Sequence, residues 1–239
     1  MNRQRRDLAI ALSLLALIAG WEASGWDVAV TAWYGTAAGF PWRDTWWARD
    51  LLHNGERLFA AAALLAFAGY AVLPSRDAPP RSERLYWLAV TCACLVLVPA
   101  AKHLSLSSCP WDVAPFGGAA AYVPHWVLDR VDGGPGHCFP SGHAVAAFAF
   151  LGLHFLWRDR HRARAAIALA AVVALGLAFG WTQLVRGAHF PSHVMWSAWL
   201  CWAACASAAL GRRRLGAARR RRVAAVLAVG RAGQAGRVD

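Results

Sequence analysis

Six long apolar runs constrain this chain more than any other feature. They lie at residues 8–24, 57–73, 85–101, 143–157, 163–181 and 190–210. A helix needs about 17 to 25 such residues to cross a bilayer, and 58% of the chain is hydrophobic. A soluble globular domain is therefore a poor expectation. The sequence predicts an all-α integral membrane bundle of six transmembrane helices.

The first run also has some features of a secretory signal peptide, because a basic segment precedes it. A cleaved signal would end in small residues, but Trp21 and Glu22 stand at that place. We expect an uncleaved first helix.

The net charge of +12 is distributed unevenly along the chain. With the N-terminus inside, 19 of the 25 Lys and Arg residues fall on the cytoplasmic side, as the positive-inside rule predicts for six spans and two cytoplasmic termini. We expect one membrane domain, residues 1–210, and a basic cytoplasmic tail, residues 211–239. The tail could bind nucleic acid, but attraction to anionic lipid headgroups explains it with fewer assumptions, so no nucleic-acid partner is expected.

The six cysteines fall into two groups. Four lie inside predicted spans, where packing is the simplest role. Cys109 and Cys138 share a long external loop, and an oxidising compartment would permit a disulfide between them.

Three polar segments lie at the outer ends of the predicted spans, at residues 102–112, 138–143 and 186–193. Charged and imidazole groups at membrane depth are costly unless they are paired or functional. Each histidine alone could be an interface anchor, but together they predict one site on one face. The Pro-Ser-Gly-His turn at 140–143 starts a span, where free backbone amides and the helix dipole attract an anion. Lys102 adds positive charge.

These segments resemble the three motifs of the type 2 phosphatidic acid phosphatase (PAP2) superfamily, which is related to the vanadium haloperoxidases. The motifs read Lys-x6-Arg-Pro, Pro-Ser-Gly-His and Ser-Arg-x5-His-x3-Asp. The second is complete at residues 140–143. The first is present as Lys102 and Pro110, with Cys109 in the Arg position. The third keeps His189, with Gln183 in the Arg position and His193 in the Asp position.

The resemblance implies a role for each matching residue. His189 is expected to attack phosphorus and become phosphorylated, and His143 to protonate the leaving oxygen. Lys102, the Ser141 hydroxyl and the Gly142 amide are expected to hold the phosphate oxygens.

The departures from the motifs predict substitutes. Arg186 lies three residues after Gln183, so on a helical end it should project from nearly the same face and serve as a phosphate ligand. His193 or Asp112 would orient His189 by accepting its ring proton, although Asp112 could equally be a loop cap.

The resemblance therefore implies a lipid phosphatase that uses neither cofactor nor metal. Its expected substrate is a phosphomonoester or pyrophosphate of a membrane lipid, at the periplasmic face of a bacterial inner membrane. Transfer of the phosphate to another lipid and a degenerate lipid-binding relative are alternatives. A zinc site is a further alternative, because His189 and His193 are four residues apart, as zinc ligands on one helix often are. The other ligands could come from His103, His137, Asp112, Cys109 or Cys138.

Overall fold

The computed structural model describes residues 2–127 and 129–235, with the side chains from 219 onward left aside. The described part is helical and contains no β-strand. The α-helices are α1 (Arg3–Ala23), α2 (Trp26–Thr31), α3 (Gly55–Val72), α4 (Arg81–His103), α5 (Gly142–Phe148), α6 (Gly152–Trp157), α7 (Arg162–Val185) and α8 (Pro191–Ala235). A π-helical segment, Trp47–Asn54, leads directly into α3.

Every predicted apolar run coincides with helix, which confirms the all-α fold class. Four helical segments are long and apolar enough to cross a membrane: Trp47–Val72, Arg81–His103, Arg162–Val185 and Pro191–Ala218. The stretch Gly142–Trp157 is shorter, and α1 carries charges at both ends. The count of six spans therefore stays a prediction.

The C-terminal boundary at residue 210 is not a structural break. α8 continues through it to Ala235, because nothing in 205–218 stops a helix: alanine, leucine and arginine dominate and no proline occurs. The lipid-binding role expected for Arg219 to Arg222 falls outside the described side chains.

The segment of α5 and α6 forms the centre of the bundle. Nearly all side chains from Ala144 to Leu151 are buried, and α5 packs against α4, α7 and α8. Small residues allow this close packing. A Cβ added at Gly176 would lie 2.4 Å from the ring of Phe148, so α7 can approach α5 only where it has glycine.

The first helix is joined to the end of α6 and to the last helix. Asp7 and Arg158 form a buried ion pair of 2.8 Å, and the indole of Trp202 donates to the Asp7 carbonyl at 3.1 Å. These contacts close the bundle at the end opposite to the three polar segments.

The loop after α4 is held down by cross-links. Cys109 and Cys138 form a disulfide with Cα atoms 5.2 Å apart, so the pairing that the oxidising compartment permits does occur. The buried Asp132 carboxylate accepts from the Ser108 amide at 2.6 Å and from its hydroxyl at 2.9 Å. The loop is thereby fixed against the start of α5.

Candidate functional site

The three polar segments meet at one end of the bundle. The Ser141 amide donates to the His193 carbonyl at 3.1 Å, and the Ser197 hydroxyl donates to the Ser141 carbonyl at 2.8 Å. The Trp111 amide donates to the Gly187 carbonyl at 3.0 Å. Backbone hydrogen bonds therefore connect the first and the second motif segments to the third.

His189 lies in the short turn between α7 and α8. Gly187 has a φ of 70°, a left-handed conformation that glycine adopts without strain, and the Ala188 amide returns to the Gln183 carbonyl at 2.8 Å. The His189 side chain is almost wholly buried. Burial, with a smaller contribution from Lys102, lowers the pKa of His189 well below its ordinary value. The ring is neutral at neutral pH, as a nucleophile must be.

The orientation of His189 is set by the first turn of α8. Its Nδ1 lies 3.5 Å from Nδ1 of His193 and 3.6 Å from Sγ of Cys138. The other ring nitrogen, Nε2, therefore remains for attack. Asp112 lies in a 3₁₀ turn, Pro110–Asp112, and among the described residues its carboxylate makes no hydrogen bond to His189. The structure thus brings His193, and not Asp112, to His189.

A carboxylate that the motifs did not predict supports this turn. Asp27 of α2 is buried and accepts from the Ser192 amide at 2.9 Å, from the Ser192 hydroxyl, and from the indole of Trp21 at 2.8 Å. It satisfies a free amide at the start of α8. Burial raises the pKa of the Asp27 carboxyl. No short motif marks Asp27, since its partner lies 165 residues away.

The Pro-Ser-Gly-His turn begins α5 as expected. The Ser141 hydroxyl accepts from the Ala144 amide at 3.3 Å and so caps the helix. Ser141 is fully buried, so its hydroxyl acts first as a cap. A Cβ added at Gly142 would lie 3.8 Å from Cδ of Lys102, in the last turn of α4. Lys102 therefore lies over the first amides of α5, where an anion would bind.

His143 lies beside His189. Its ring centre lies 5.9 Å from that of His189, and its side chain is 22% exposed. Of the two rings, His143 is the partly exposed one and His189 is buried. This is the arrangement that an acid and a nucleophile on two sides of one phosphorus atom require.

Arg186 projects beside Gln183, as their spacing predicts. Its Nη1 donates to Gln183 Oε1 at 3.3 Å and its Nε to the Arg43 carbonyl at 3.1 Å. Burial lowers the pKa of the Arg186 guanidinium. Within the described part of the chain, neither Arg186 nor Lys102 forms an ion pair with a carboxylate. A buried Arg186 and a partly buried Lys102 thus lie at the site without an ion-pair partner among the described residues.

His53 and Glu56 are further site residues that the motifs did not predict. They lie at the start of the second predicted span, and Glu56 is 1% exposed. Glu56 Oε1 lies 3.5 Å from His143 Nε2 and accepts from Gln183 Nε2 at 3.0 Å. Their i, i+3 spacing at a span end was the only signal in the sequence.

Two groups of side chains have ligand atoms close enough to hold a metal ion. One is Cys138 with His189 and His193. Because Cys138 is oxidised in the disulfide, it is not the thiolate that zinc binds, which removes the sulfur ligand from the zinc shell considered above. The second group is His53, Glu56 and His143.

Comparison with known proteins agrees with this geometry. No curated protein and no solved structure matches the chain. The family model described as PAP2 superfamily matches residues 83–216, which cover more than half of the chain and include all three motif segments. The chain therefore belongs to the PAP2 superfamily.

Proposed function

We propose that this protein hydrolyses a phosphomonoester or pyrophosphate of a membrane lipid at the outer face of the membrane, through a phosphohistidine at His189. One observation carries the proposal. A buried, neutral His189 lies next to a partly exposed His143, and Lys102, which has no ion-pair partner among the described residues, lies beside both. Membership in the PAP2 superfamily supports phosphatase chemistry in general.

The reaction follows from the positions of these groups. The Nε2 lone pair of His189 attacks phosphorus while the bond from phosphorus to the lipid oxygen breaks, and His143 passes a proton to that oxygen. Water then attacks the phosphohistidine, His143 takes a proton from it, and the P–N bond breaks to release phosphate. The negative charge on the nonbridging oxygens is stabilised by Lys102, Arg186 and the first amides of α5.

A lipid substrate is favoured by the surroundings of the site. The α4 and α7 segments end at the site and are long and apolar enough to span a bilayer. Exposed indoles occur on the neighbouring segments at Trp26, Trp33, Trp42 and Trp46, and such side chains prefer the headgroup level. A phosphate carried by a lipid would be presented at that depth. The charge distribution favours the periplasmic side of a bacterial inner membrane.

The test is phosphate release by the purified protein in detergent, measured with a panel of lipid phosphates and pyrophosphates. We expect release from at least one lipid, loss of at least about a thousandfold in His189→Ala, and a phosphorylated intermediate that accumulates when His143→Ala is mixed with radiolabelled substrate. His161→Ala, an exposed histidine at the start of α7, is the matched control and should keep full activity.

Two results would contradict the proposal. Release that His189→Ala retains would place the nucleophile elsewhere. Absence of release from every lipid, with lipid binding unchanged in His189→Ala, would favour a binding protein. Label that appears on a second lipid instead of free phosphate would indicate transfer through the same intermediate.

A further inference from the structure

The group formed by His53, Glu56 and His143 lies next to the proposed phosphate site and is not needed to hold the phosphate. Oε1 of Glu56 lies 3.5 Å from Nε2 of His143 and 3.7 Å from Nδ1 of His53. The three ligand atoms lie within 4.8 Å of one another. These distances exceed those of good hydrogen bonds, so the three groups converge without bonding to each other.

The spacing matches the ligand shell of a tetrahedral cation. Zinc binds imidazole nitrogen and carboxylate oxygen at about 2.0 to 2.2 Å, so two ligands at a tetrahedral angle lie about 3.3 to 3.6 Å apart. The two distances to Glu56 Oε1, 3.5 and 3.7 Å, need almost no adjustment, and the two imidazole nitrogens lie within 4.8 Å of each other. Two histidines and one glutamate are also a donor set that zinc accepts, with a fourth position left open.

A second observation, two buried polar atoms without a hydrogen-bond partner, points to a ligand at this place. The Glu56 side chain has no exposed surface, and its Oε2 has no hydrogen-bond partner. Nδ1 of His143 is likewise buried without a partner. A buried carboxylate oxygen without a donor is costly, and a bound cation would remove that cost. Gln183 donates to Oε1 at 3.0 Å and thereby orients the carboxylate, as an outer hydrogen bond does for many metal ligands.

We propose that His53, Glu56 and His143 form a binding site for a divalent transition metal of the zinc class. The ion binds Nδ1 of His53, Nε2 of His143 and a carboxylate oxygen of Glu56, and a water molecule fills the open position.

The site regulates turnover if the proposed function holds. A metal on Nε2 of His143 occupies the ring nitrogen through which His143 would pass a proton to the leaving oxygen. The metal-bound ring cannot donate a proton to the leaving oxygen, so bound zinc inhibits the phosphatase and a chelator reverses the inhibition.

The binding test uses the metal-free full-length protein, purified on a tag without histidine. Zinc affinity is measured by competition with a chromophoric chelator, and cobalt(II) absorption reports tetrahedral geometry. We expect one zinc per chain, and at least about a hundredfold weaker binding in His53→Ala and in Glu56→Gln. His161→Ala is the control and should bind like the wild type. His53→Gln, with thermal unfolding in detergent, covers the case in which alanine prevents folding.

The second measurement is the inhibition of phosphate release by zinc, with each variant compared with its own zinc-free rate. We expect the inhibitory zinc concentration to rise in His53→Ala by the same factor as the dissociation constant. A chain that binds zinc through His53 but releases no phosphate would refute the proposed function and leave the metal site standing.

Three results would overturn the metal site. Zinc affinity unchanged in both His53→Ala and Glu56→Gln would exclude this group. Loss of binding in His193→Ala alone would assign the ion to the other group. Loss in Cys94→Ser alone would assign it to the free thiols between α4 and α8.

Discussion

Asp27→Ala should destabilise the protein and impair the site at the same time. The carboxylate accepts from the Ser192 amide at 2.9 Å and from the Trp21 indole at 2.8 Å, and both bonds reach Oδ1. Ser192 is fully buried, so its stranded amide costs about 2 kcal/mol, and the half-buried indole adds about 1 kcal/mol. We expect a loss of about 3 kcal/mol, which is about 6 to 12 °C in melting temperature for a chain of this length.

Asp27→Asn is the matched variant. Its Oδ1 can keep both N–H donors, and its amide nitrogen can donate to the Ser192 hydroxyl, so the loss should stay within about 1 kcal/mol. The raised pKa of the Asp27 carboxyl agrees with a neutral group being tolerated there. Asp77→Ala, in an exposed loop, controls for loss of a surface carboxylate.

The assay is thermal unfolding in detergent together with phosphate release. In Asp27→Ala the turn that carries His189 loses its support, so we expect kcat to fall at least tenfold, whereas Asp27→Asn should stay near wild type. Equal melting temperatures for Asp27→Ala and the wild type would refute the reasoning, because the buried Ser192 amide would then have found another acceptor.

Four further predictions concern the same end of the bundle. Gly142→Ala should fold normally, since its Cβ meets nothing closer than 3.8 Å. It should lose activity, because the methyl group would occupy the place proposed for the phosphate. Gly69→Ala is the control and should leave both melting temperature and phosphate release unchanged. Arg186→Lys should restore little of the activity lost in Arg186→Ala, because lysine cannot reproduce the planar fork that contacts two oxygens; kcat/KM for both variants checks this. Cys109→Ser should lower the free energy of unfolding by about 3 kcal/mol, as expected for a bridge between residues 29 apart, and reductant should shift the melting temperature of the wild type only. Acid should destabilise the wild type below about pH 6.5, because His189 binds a proton in the unfolded chain but not in the folded one. His189→Gln should flatten the dependence of the free energy of unfolding on pH by up to about 1.4 kcal/mol per pH unit.

The helices and the meeting of the motifs could be predicted from the sequence alone. The lengths of the apolar runs predict the helices, and the predicted topology puts residues 102, 143 and 189 on one face of the membrane. The proximity of Arg186 to Gln183 followed from helical spacing.

Asp27 and Glu56 could not be predicted, because their partners are distant in the sequence. Glu56 meets Gln183 across 127 residues, and neither apolar periodicity nor charge shows which helix ends face each other. The apolar run that predicts the last span ends at residue 210, where hydropathy falls. α8 continues past that residue because helix propensity does not fall there.

The charges around His189 suit a phosphate even though two motif arginines are absent. Lys102 and Arg186 have no carboxylate partner among the described residues, and His189 is kept neutral by burial. With His193 in place of the motif aspartate, no carboxylate stands at this position, 3.5 Å from His189. Fewer positive groups are then needed at the site, because one fewer negative group repels the incoming phosphate.

Restoring the motif aspartate should reverse this balance. His193→Asp should raise the basicity of His189 and speed its attack, but weaken phosphate binding unless Gln183→Arg is introduced with it. A double-mutant cycle in kcat/KM would detect that coupling, and strict additivity of the two changes would contradict it.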